Sequence, residues 1–258
     1  MINLKLADKL SSRYKNAYPF PHVVIEDFLV NKFARIAADE LEKFEGWDHD
    51  PTDYSSEVQQ NKFFCPGIDA HLDWMKKDTV MAYQILNFLN SDITLRFLEK
   101  LTGIDNLIPD PKFVGGGYHK INKGGKLAIH ADYNLHPETK LHRRINLLVY
   151  LNKNWQEEWG GNLELWDKTL TERVKSISPI FNRAVIFNIT DDAYHGHPEP
   201  LNCPEDKSRY SLALYYFTKD RPEKEKNSEH SALWFFPEQE TKTINNEELD
   251  DIFKLANE

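Results

Sequence analysis

Short apolar runs separated by turn-forming residues dominate residues 112–218. Runs such as INLLVY, RAVIFN and RYSLALYYFT are rich in β-branched and aromatic residues, which favour strands. Many short strands with turns between them are typical of closed or sandwiched antiparallel sheets. The pattern predicts a mainly β fold with flanking helices (α+β), whose core is a double-stranded β-helix of the jelly-roll, cupin-like type.

Helical patterns lie before this β-rich region. Residues 22–29 predict a strand, and residues 78–102 predict one or two helices that brace the sheet. An acidic stretch at residues 238–258 predicts a terminal helix. A further helix is predicted at residues 31–45, with these apolar positions near helical spacing: Phe33, Ile36, Ala37, Leu41 and Phe44.

The length suits one large β-rich domain, so we expect residues 1–258 to form a single domain. Residues 1–111 would support the core, and their aperiodic aromatic stretch 46–76 would serve as a lid. Residues 112–218 would form the catalytic core. Residues 219–258 would be a charged extension whose apolar HSALWFF segment docks back onto it.

The net charge of −9 argues against unaided binding to nucleic acid, whose phosphates require a basic face. No apolar stretch approaches the length of a membrane span, and the first residues lack the apolar core of a secretion signal. We therefore expect a cytoplasmic protein with no membrane or nucleic-acid partner. The oligomeric state is not predicted.

A candidate metal site follows the predicted turn at residues 124–125 and a short apolar strand. His130 and Asp132 are two residues apart, so on a strand their side chains share a face. A second histidine, His195, follows a predicted strand at residues 184–189 and a polar turn. Two imidazoles and one carboxylate leave open positions on an octahedral ion, which suits non-haem Fe(II).

A His-x-Asp tripeptide is a weak signal in a chain with ten histidines. Similar tripeptides occur at residues 71–73, in a probable helix start, and at residues 136–138 and 197–199, where proline interrupts strand pairing. His197 is the alternative to His195. It directly precedes a proline, which favours extended backbone, and we expect it to face away from the metal, as a supporting or substrate-facing residue.

A buried cation is predicted on the strand RYSLALYYFT. Arg209, Ser211 and Ala213 share one face of this strand. An arginine above two small residues leaves room for a carboxylate, which a guanidinium binds through two hydrogen bonds. The alternative is a surface arginine on a strand edge. The basic run KLHRR, close after Asp132, is interpreted as a solvated loop that can overhang the metal.

Residues 112–218 resemble the Fe(II)- and 2-oxoglutarate-dependent dioxygenases, and within them the prolyl 4-hydroxylase-like catalytic domain. The motifs that carry the resemblance are HAD, LLVYLNKNW, GGNLELWD, FNRAVIFN, YHGHPEPL and RYSLALYYFT, in this order. The resemblance implies that His130, Asp132 and His195 are the iron ligands. It also implies that Arg209 binds the co-substrate.

The resemblance implies further co-substrate contacts. Tyr150, at the end of INLLVY, matches a co-substrate tyrosine of some members. Other members place a second tyrosine where this chain has Lys120, so Tyr118 or His119 would take its place. Ser211, beside the arginine, completes the predicted pocket.

The activity implied by the resemblance is oxidative decarboxylation of 2-oxoglutarate to succinate and CO2, with Fe(II) and O2, coupled to hydroxylation of a C–H bond. Ascorbate is a further cofactor candidate. A prolyl residue in a peptide or protein is the expected substrate, and a free amino acid or other small metabolite is the alternative.

Other classes are a zinc hydrolase, for which no His-Glu-x-x-His motif is present, and a non-catalytic metal-binding jelly-roll protein. Nucleic-acid demethylases of this fold commonly carry a second arginine six residues after the first. That position is Tyr215 here, which disfavours them.

Overall fold

The structure, a computed structural model, describes residues 2–49, 58–65 and 77–235. The predicted lid at residues 46–76 is thus described only in part. The second His-x-Asp motif at residues 71–73 and the predicted acidic helix at residues 238–258 lie outside the described residues.

The described residues form the following helices: α1 (Leu6–Lys15), α2 (Asn31–Lys43), α3 (Val80–Leu89) and α4 (Asp92–Thr102). Their strands are β1 (His22–Ile25), β2 (Asp48–His49), β3 (Gln59–Cys65), β4 (Ile108–Pro109), β5 (Gly117–Ala131), β6 (His142–Tyr150), β7 (Leu163–Trp166), β8 (Arg173–Ile177), β9 (Ala184–Asn188), β10 (His195–His197), β11 (Ser208–Thr218) and β12 (Leu233–Phe235).

The strands form one antiparallel sheet with the order β1-β9-β6-β11-β5-β10-β7-β8. The long strand β5 belongs to both halves, because its first part pairs with β11 and its last part with β10. A buried cluster that includes Tyr150, Leu165 and Phe187 joins side chains of β6 and β9 to those of β7. The sheet therefore curls over on itself, which confirms the predicted jelly roll.

Alternation along the strands divides their side chains between two layers. Ile145, Leu147 and Val149 of β6 pack against the helices, whereas Tyr150 points into the curled sheet. Full burial of each such aliphatic side chain contributes roughly 1.5–3 kcal/mol. Side chains alternate between the two faces along β6, β9 and β11. One set of side chains packs against the helices, and the other set faces the inside of the curled sheet, where polar residues can lie.

The helices cover the outer face of the sheet. Leu41, Leu86 and Leu98 are fully buried there, and the predictions of a helix within residues 31–45 and of helices within residues 78–102 are confirmed. Ile36, one of the apolar positions near helical spacing, lies at the edge of the buried face and is 36% exposed. No helix in the described part of the chain combines the length and apolar character needed to cross a membrane.

The glycine pair at residues 124–125 bends strand β5 and does not precede it. The sequence predicted a turn there, but β5 continues through both glycines, and Gly124 has a φ of 76°. A Cβ on Gly125 would lie 2.8 Å from the carbonyl oxygens of both Asn122 and Gln60. The bend directs the second half of β5 toward β10 and so sets the position of His130.

Candidate metal and co-substrate site

Strand pairing brings the predicted metal ligands together. His130 lies near the end of β5, opposite His195 at the start of β10, and Asp132 follows β5 directly. Each imidazole Nε2 is 3.5 Å from an oxygen of Asp132. One donor atom from each of the three side chains lies within 4.8 Å of the others. This spacing lets all three reach one ion.

The backbone orients both imidazoles. His130 Nδ1 lies 2.9 Å from the Ala128 carbonyl oxygen, and His195 Nδ1 lies 2.9 Å from that of Ala193. A carbonyl can only accept, so each Nδ1 carries the proton and each Nε2 presents a lone pair. Burial, with the nearby His130, lowers the pKa of His195 to about 4. The ring is therefore neutral at physiological pH, as a metal ligand must be.

Asp132 is held by its own partners. Arg143 Nη2 is 2.9 Å from its Oδ2, and Asn146 donates a hydrogen bond of 2.7 Å to the same oxygen. Burial alone would raise the pKa of Asp132, but the Arg143 charge and the two histidines hold it well below its ordinary value. The guanidinium in turn lies against the rings of Tyr133 and Tyr215, at 4.3 and 3.6 Å from their centroids.

Arg143 and Asn146 are site residues that the sequence reasoning missed, and the interpretation of KLHRR as a solvated loop is wrong. The last three residues of this run begin strand β6, and Arg143 is only 2% exposed. The register between β6 and β11 shifts by one residue at this point. Ile145 pairs with Tyr216, whereas Arg143, two residues earlier, pairs with the next residue of β11, Phe217. A bulge of one residue thus turns Arg143 toward Asp132, and no feature of the sequence alone indicates that bulge.

A cavity of about 530 Å³ extends from the metal-ligand side chains to Arg209. Arg209 is buried, its Nε donates to the Gly161 carbonyl at 2.8 Å, and its Nη2 donates to the Tyr150 hydroxyl at 3.2 Å. Ser211 also lines the cavity. Arg209 and Ser211 therefore lie on the cavity wall, and Tyr150 lies behind Arg209, which it contacts through its hydroxyl.

One residue of the glycine pair before β7 lies close to the Arg209 side chain. Gly161 has a φ of 71°, and a Cβ there would lie 2.3 Å from Leu201 Cδ2 and 3.0 Å from Arg209 Cδ. Gly160 has a similar φ of 70°, but a Cβ there would meet nothing within 4 Å. Only Gly161 therefore makes room for the Arg209 side chain.

The prediction that His197 faces away from the site is wrong. His197 lines the same cavity as His195 and is 2% exposed. Residues two apart on a strand share a face, so alternation itself requires this result. Neither ring nitrogen has a hydrogen-bond partner among the described residues. Burial, followed by the Arg209 charge, lowers the pKa of His197 well below its ordinary value.

Tyr118 does not line the cavity, and its predicted co-substrate role is wrong. Its side chain lies in the core on the helix side of β5, where its ring meets that of Phe44 edge-on at 6.3 Å. Its hydroxyl is 3.2 Å from that of Thr79. The next residue, His119, lines the cavity instead, because adjacent residues on a strand point to opposite faces.

Two segments wall the open side of the cavity. Gln59 and Lys62 come from β3, within the predicted lid stretch, and Trp234 comes from β12 in the C-terminal extension. Strand β12 pairs with β5, which confirms the expected docking of HSALWFF as far as residue 235. The Trp234 ring lies 4.8 Å from that of His130. Described parts of the predicted lid stretch and of the C-terminal extension therefore both reach the cavity.

Comparison with known proteins confirms the family resemblance for the β-rich region. Residues 116–217 match the model of the 2OG-Fe(II) oxygenase superfamily. Prolyl 3-hydroxylase OGFOD1 from Mus musculus is 32% identical over 79 residues, which cover 29% of this chain and 14% of that protein. The match therefore spans only a small part of the relative.

Solved structures of other proteins share the fold of this chain. One from Trichoplax adhaerens, in complex with a hypoxia inducible factor peptide fragment, has a TM-score of 0.59 at 18% identity, over 84% of this chain and 90% of that one. A prolyl-4-hydroxylase from Pseudomonas putida has a TM-score of 0.54 at 17% identity, over 82% and 100%. HygX from Streptomyces hygroscopicus, with nickel and 2-oxoglutarate bound, has a TM-score of 0.51 at 13% identity, over 82% and 92%. At these identities the likeness shows the fold.

Proposed function

We propose that the protein is an Fe(II)- and 2-oxoglutarate-dependent hydroxylase that acts on a prolyl residue of a peptide or protein. One observation carries the proposal: His130, Asp132 and His195 converge on the wall of a cavity that the buried Arg209 also lines. A metal site alone fits several classes of protein. A metal site that shares a cavity with a buried arginine fits a carboxylate co-substrate.

The donor set fits Fe(II). Two imidazoles and one carboxylate leave open positions for further ligands, and both imidazoles are oriented by backbone carbonyls. When bound, the iron would couple the oxidation of 2-oxoglutarate by O2 to hydroxylation of the substrate. The contribution of the protein is to hold the ligands, bind the co-substrate and keep water out.

Arg209 is suited to hold the far carboxylate of 2-oxoglutarate. Its Nε and Nη2 are engaged by Gly161 and Tyr150, and its Nη1 makes no hydrogen bond to any described residue. Because the guanidinium is buried, its attraction for a carboxylate is screened less than it would be at the surface. Tyr150, whose pKa is raised by burial, stays protonated and can donate to the same carboxylate.

The prolyl assignment rests on the structural neighbours, one of which is described in complex with a peptide fragment. The alternative substrate is a small molecule. A structure of HygX with nickel, 2-oxoglutarate and hygromycin B bound shares the fold at a TM-score of 0.50 and 13% identity. Succinate release in the presence of prolyl peptides, free amino acids and sugars would distinguish the two.

The decisive experiment measures succinate formed from 2-oxoglutarate with and without Fe(II). We expect His130→Ala, Asp132→Ala and His195→Ala each to abolish Fe(II)-dependent succinate release. His71→Ala, in the second His-x-Asp copy, is the matched control and should retain it. Equal loss in the folded His71 variant would overturn the assignment of the metal ligands. If the wild type forms no Fe(II)-dependent succinate with any substrate, the proposal fails in favour of a non-catalytic metal-binding protein.

Co-substrate binding has a separate test. Arg209→Lys keeps a positive charge but loses the planar fork. We expect the KM for 2-oxoglutarate to rise about tenfold or more, as loss of one charge-assisted hydrogen bond implies. Iron affinity should not change. An unchanged KM would mean that another residue binds the far carboxylate.

A further inference from the structure

The His197 imidazole is buried inside the cavity without a partner. It is 2% exposed, and neither Nδ1 nor Nε2 has a hydrogen-bond partner among the described residues. Buried polar groups in folded proteins almost always have partners, because an unpaired one loses its hydration without compensation. The other cavity histidines on β5 and β10, His119, His130 and His195, each have a backbone partner. A missing ligand would explain why His197 does not.

The position of His197 indicates which part of a ligand it would meet. It lies two residues beyond His195 on β10, so its side chain is displaced from the metal site by about 6.5 Å along the strand. A five-carbon dicarboxylate that starts at the metal extends over a similar length. The cavity wall around it also carries Arg209 and Lys62, both positively charged. No carboxylate other than Asp132 lines this cavity among the described residues.

The packing of β10 keeps His197 in this position. A Cβ on the intervening Gly196 would lie 2.6 Å from the Ala128 carbonyl oxygen, so β10 lies directly against the backbone of β5. His197 itself is registered opposite Leu127. The pairing of β10 with β5 therefore fixes the backbone position from which the His197 side chain enters the cavity.

We propose that His197 is a co-substrate specificity residue, whose ring N–H donates a hydrogen bond to the far carboxylate of 2-oxoglutarate beside Arg209. The inference rests on the proposed function and extends it. A neutral imidazole has one donor nitrogen, and a carboxylate oxygen beside a guanidinium still has lone pairs for it. His197 would thus favour dicarboxylic 2-oxo acids over those that have an apolar end, because the latter leave its ring unpaired.

The test compares two ligands that share the metal-binding end. Calorimetric titration of the Mn(II)-loaded protein with 2-oxoglutarate and with 2-oxovalerate, which lacks the far carboxylate, measures binding without turnover. We expect His197→Leu to raise the Kd of 2-oxoglutarate about tenfold and to leave that of 2-oxovalerate unchanged. His197→Gln, which restores an N–H donor, should recover most of the affinity. The Kd of Mn(II) should not change.

Thermal stability provides a second measurement, in which His197→Leu should not weaken the protein although it weakens 2-oxoglutarate binding. Leucine needs no hydrogen bond, so His197→Leu should leave the Tm of the ligand-free protein unchanged or raise it. His22→Leu is the matched control, because His22 is also buried but its Nδ1 is 2.8 Å from the Phe20 carbonyl oxygen and it lies outside the cavity. That variant should lower the Tm and leave the Kd of 2-oxoglutarate unchanged.

The outcomes separate the two proposals. Equal weakening of both ligands in His197→Leu, or no weakening of either, would overturn the role of His197 while leaving the proposed function intact. Failure of the wild-type protein to bind 2-oxoglutarate with Mn(II) would overturn the proposed function itself. If His197→Leu does not fold, His197→Ala enters the same comparison.

Discussion

Arg143 and Arg144 are adjacent, both buried, and point to different parts of the molecule. Arg143 is 2.9 Å from the Asp132 carboxylate, whereas Arg144 lies 3.4 Å from the Thr218 hydroxyl and 3.3 Å from Glu225. A buried charge without its partner is costly, so each arginine matters for stability. Only Arg143 can also affect the metal site.

This pair permits a controlled test at the scale of single residues. We expect Arg143→Gln to weaken metal binding by roughly 10–100-fold, the usual effect of removing a group that orients a metal ligand. Arg144→Gln carries the same change in the same strand and should destabilise the fold without altering metal affinity. Competition with a metal-sensitive dye measures the metal affinity of both variants. Equal effects on metal affinity would show that the loss is a general result of removing a buried charge.

At the scale of an element, the turn before β7 makes room for the Arg209 side chain because Gly161 has no side chain of its own. Both Gly160 and Gly161 have positive φ, so alanine at either position costs roughly 1–2 kcal/mol in backbone strain. Gly161→Ala would in addition push on Arg209, whose Cδ is 3.0 Å from the new Cβ. We expect the Kd of 2-oxoglutarate to rise roughly tenfold or more in Gly161→Ala and to stay unchanged in Gly160→Ala. If both variants lost the same affinity for 2-oxoglutarate, backbone strain alone would explain the loss, and contact with Arg209 would play no part.

The segment that leads into β12 is attached by a titratable pair. His230 Nε2 is 3.0 Å from Asp191 Oδ1, and the His230 backbone N–H donates to Asn134. Burial lowers the pKa of His230 and Arg221 opposes protonation, but the Asp191 carboxylate and the Ser231 carbonyl raise it above its ordinary value of 6.5. The ion pair between His230 and Asp191 therefore contributes fully to stability below pH 6.5. Its contribution is lost as the pH rises through the raised pKa of His230.

A stability measurement at two pH values tests this attachment. We expect wild type to exceed His230→Gln in free energy of unfolding by at most about 1 kcal/mol near pH 6, and this difference to vanish near pH 8.5. Denaturant titration of both proteins gives the values. If the stability difference between wild type and His230→Gln grew with pH, protonation of His230 would not be what stabilises the pair.

At the scale of the whole molecule, the site joins the two halves of the curled sheet. His195 belongs to β10 and Arg209 to β11, which lie on opposite sides of β5 in the strand order. A ligand that contacts both halves should stabilise the entire domain. With Mn(II) and 2-oxoglutarate at about one hundred times their Kd, we expect the Tm to rise by roughly 5–10 °C. Asp132→Ala should lose most of this shift, and a shift retained in that variant would place binding elsewhere.

The sequence patterns were sufficient where local rules decide the structure. Strand alternation placed Arg209 and Ser211 together on the inner face, and the position of His130 and Asp132 at a strand end brought them together. Helical periodicity predicted the helix within residues 31–45. In these cases the side-chain direction follows from a residue's place in its own element, so no knowledge of the neighbouring element was needed.

Only the tertiary structure decided features that depend on how two strands meet. The bulge in β6 turns Arg143 toward Asp132, and the register of β10 against β5 buries His197 without a partner. The same packing put Tyr118 behind the sheet, with His119 in the cavity. The residue types in the motifs thus determined the class of chemistry, because metal and carboxylate binding require specific donors. The contacts that tune those donors come from residues distant in the chain, which only the folded sheet brings together.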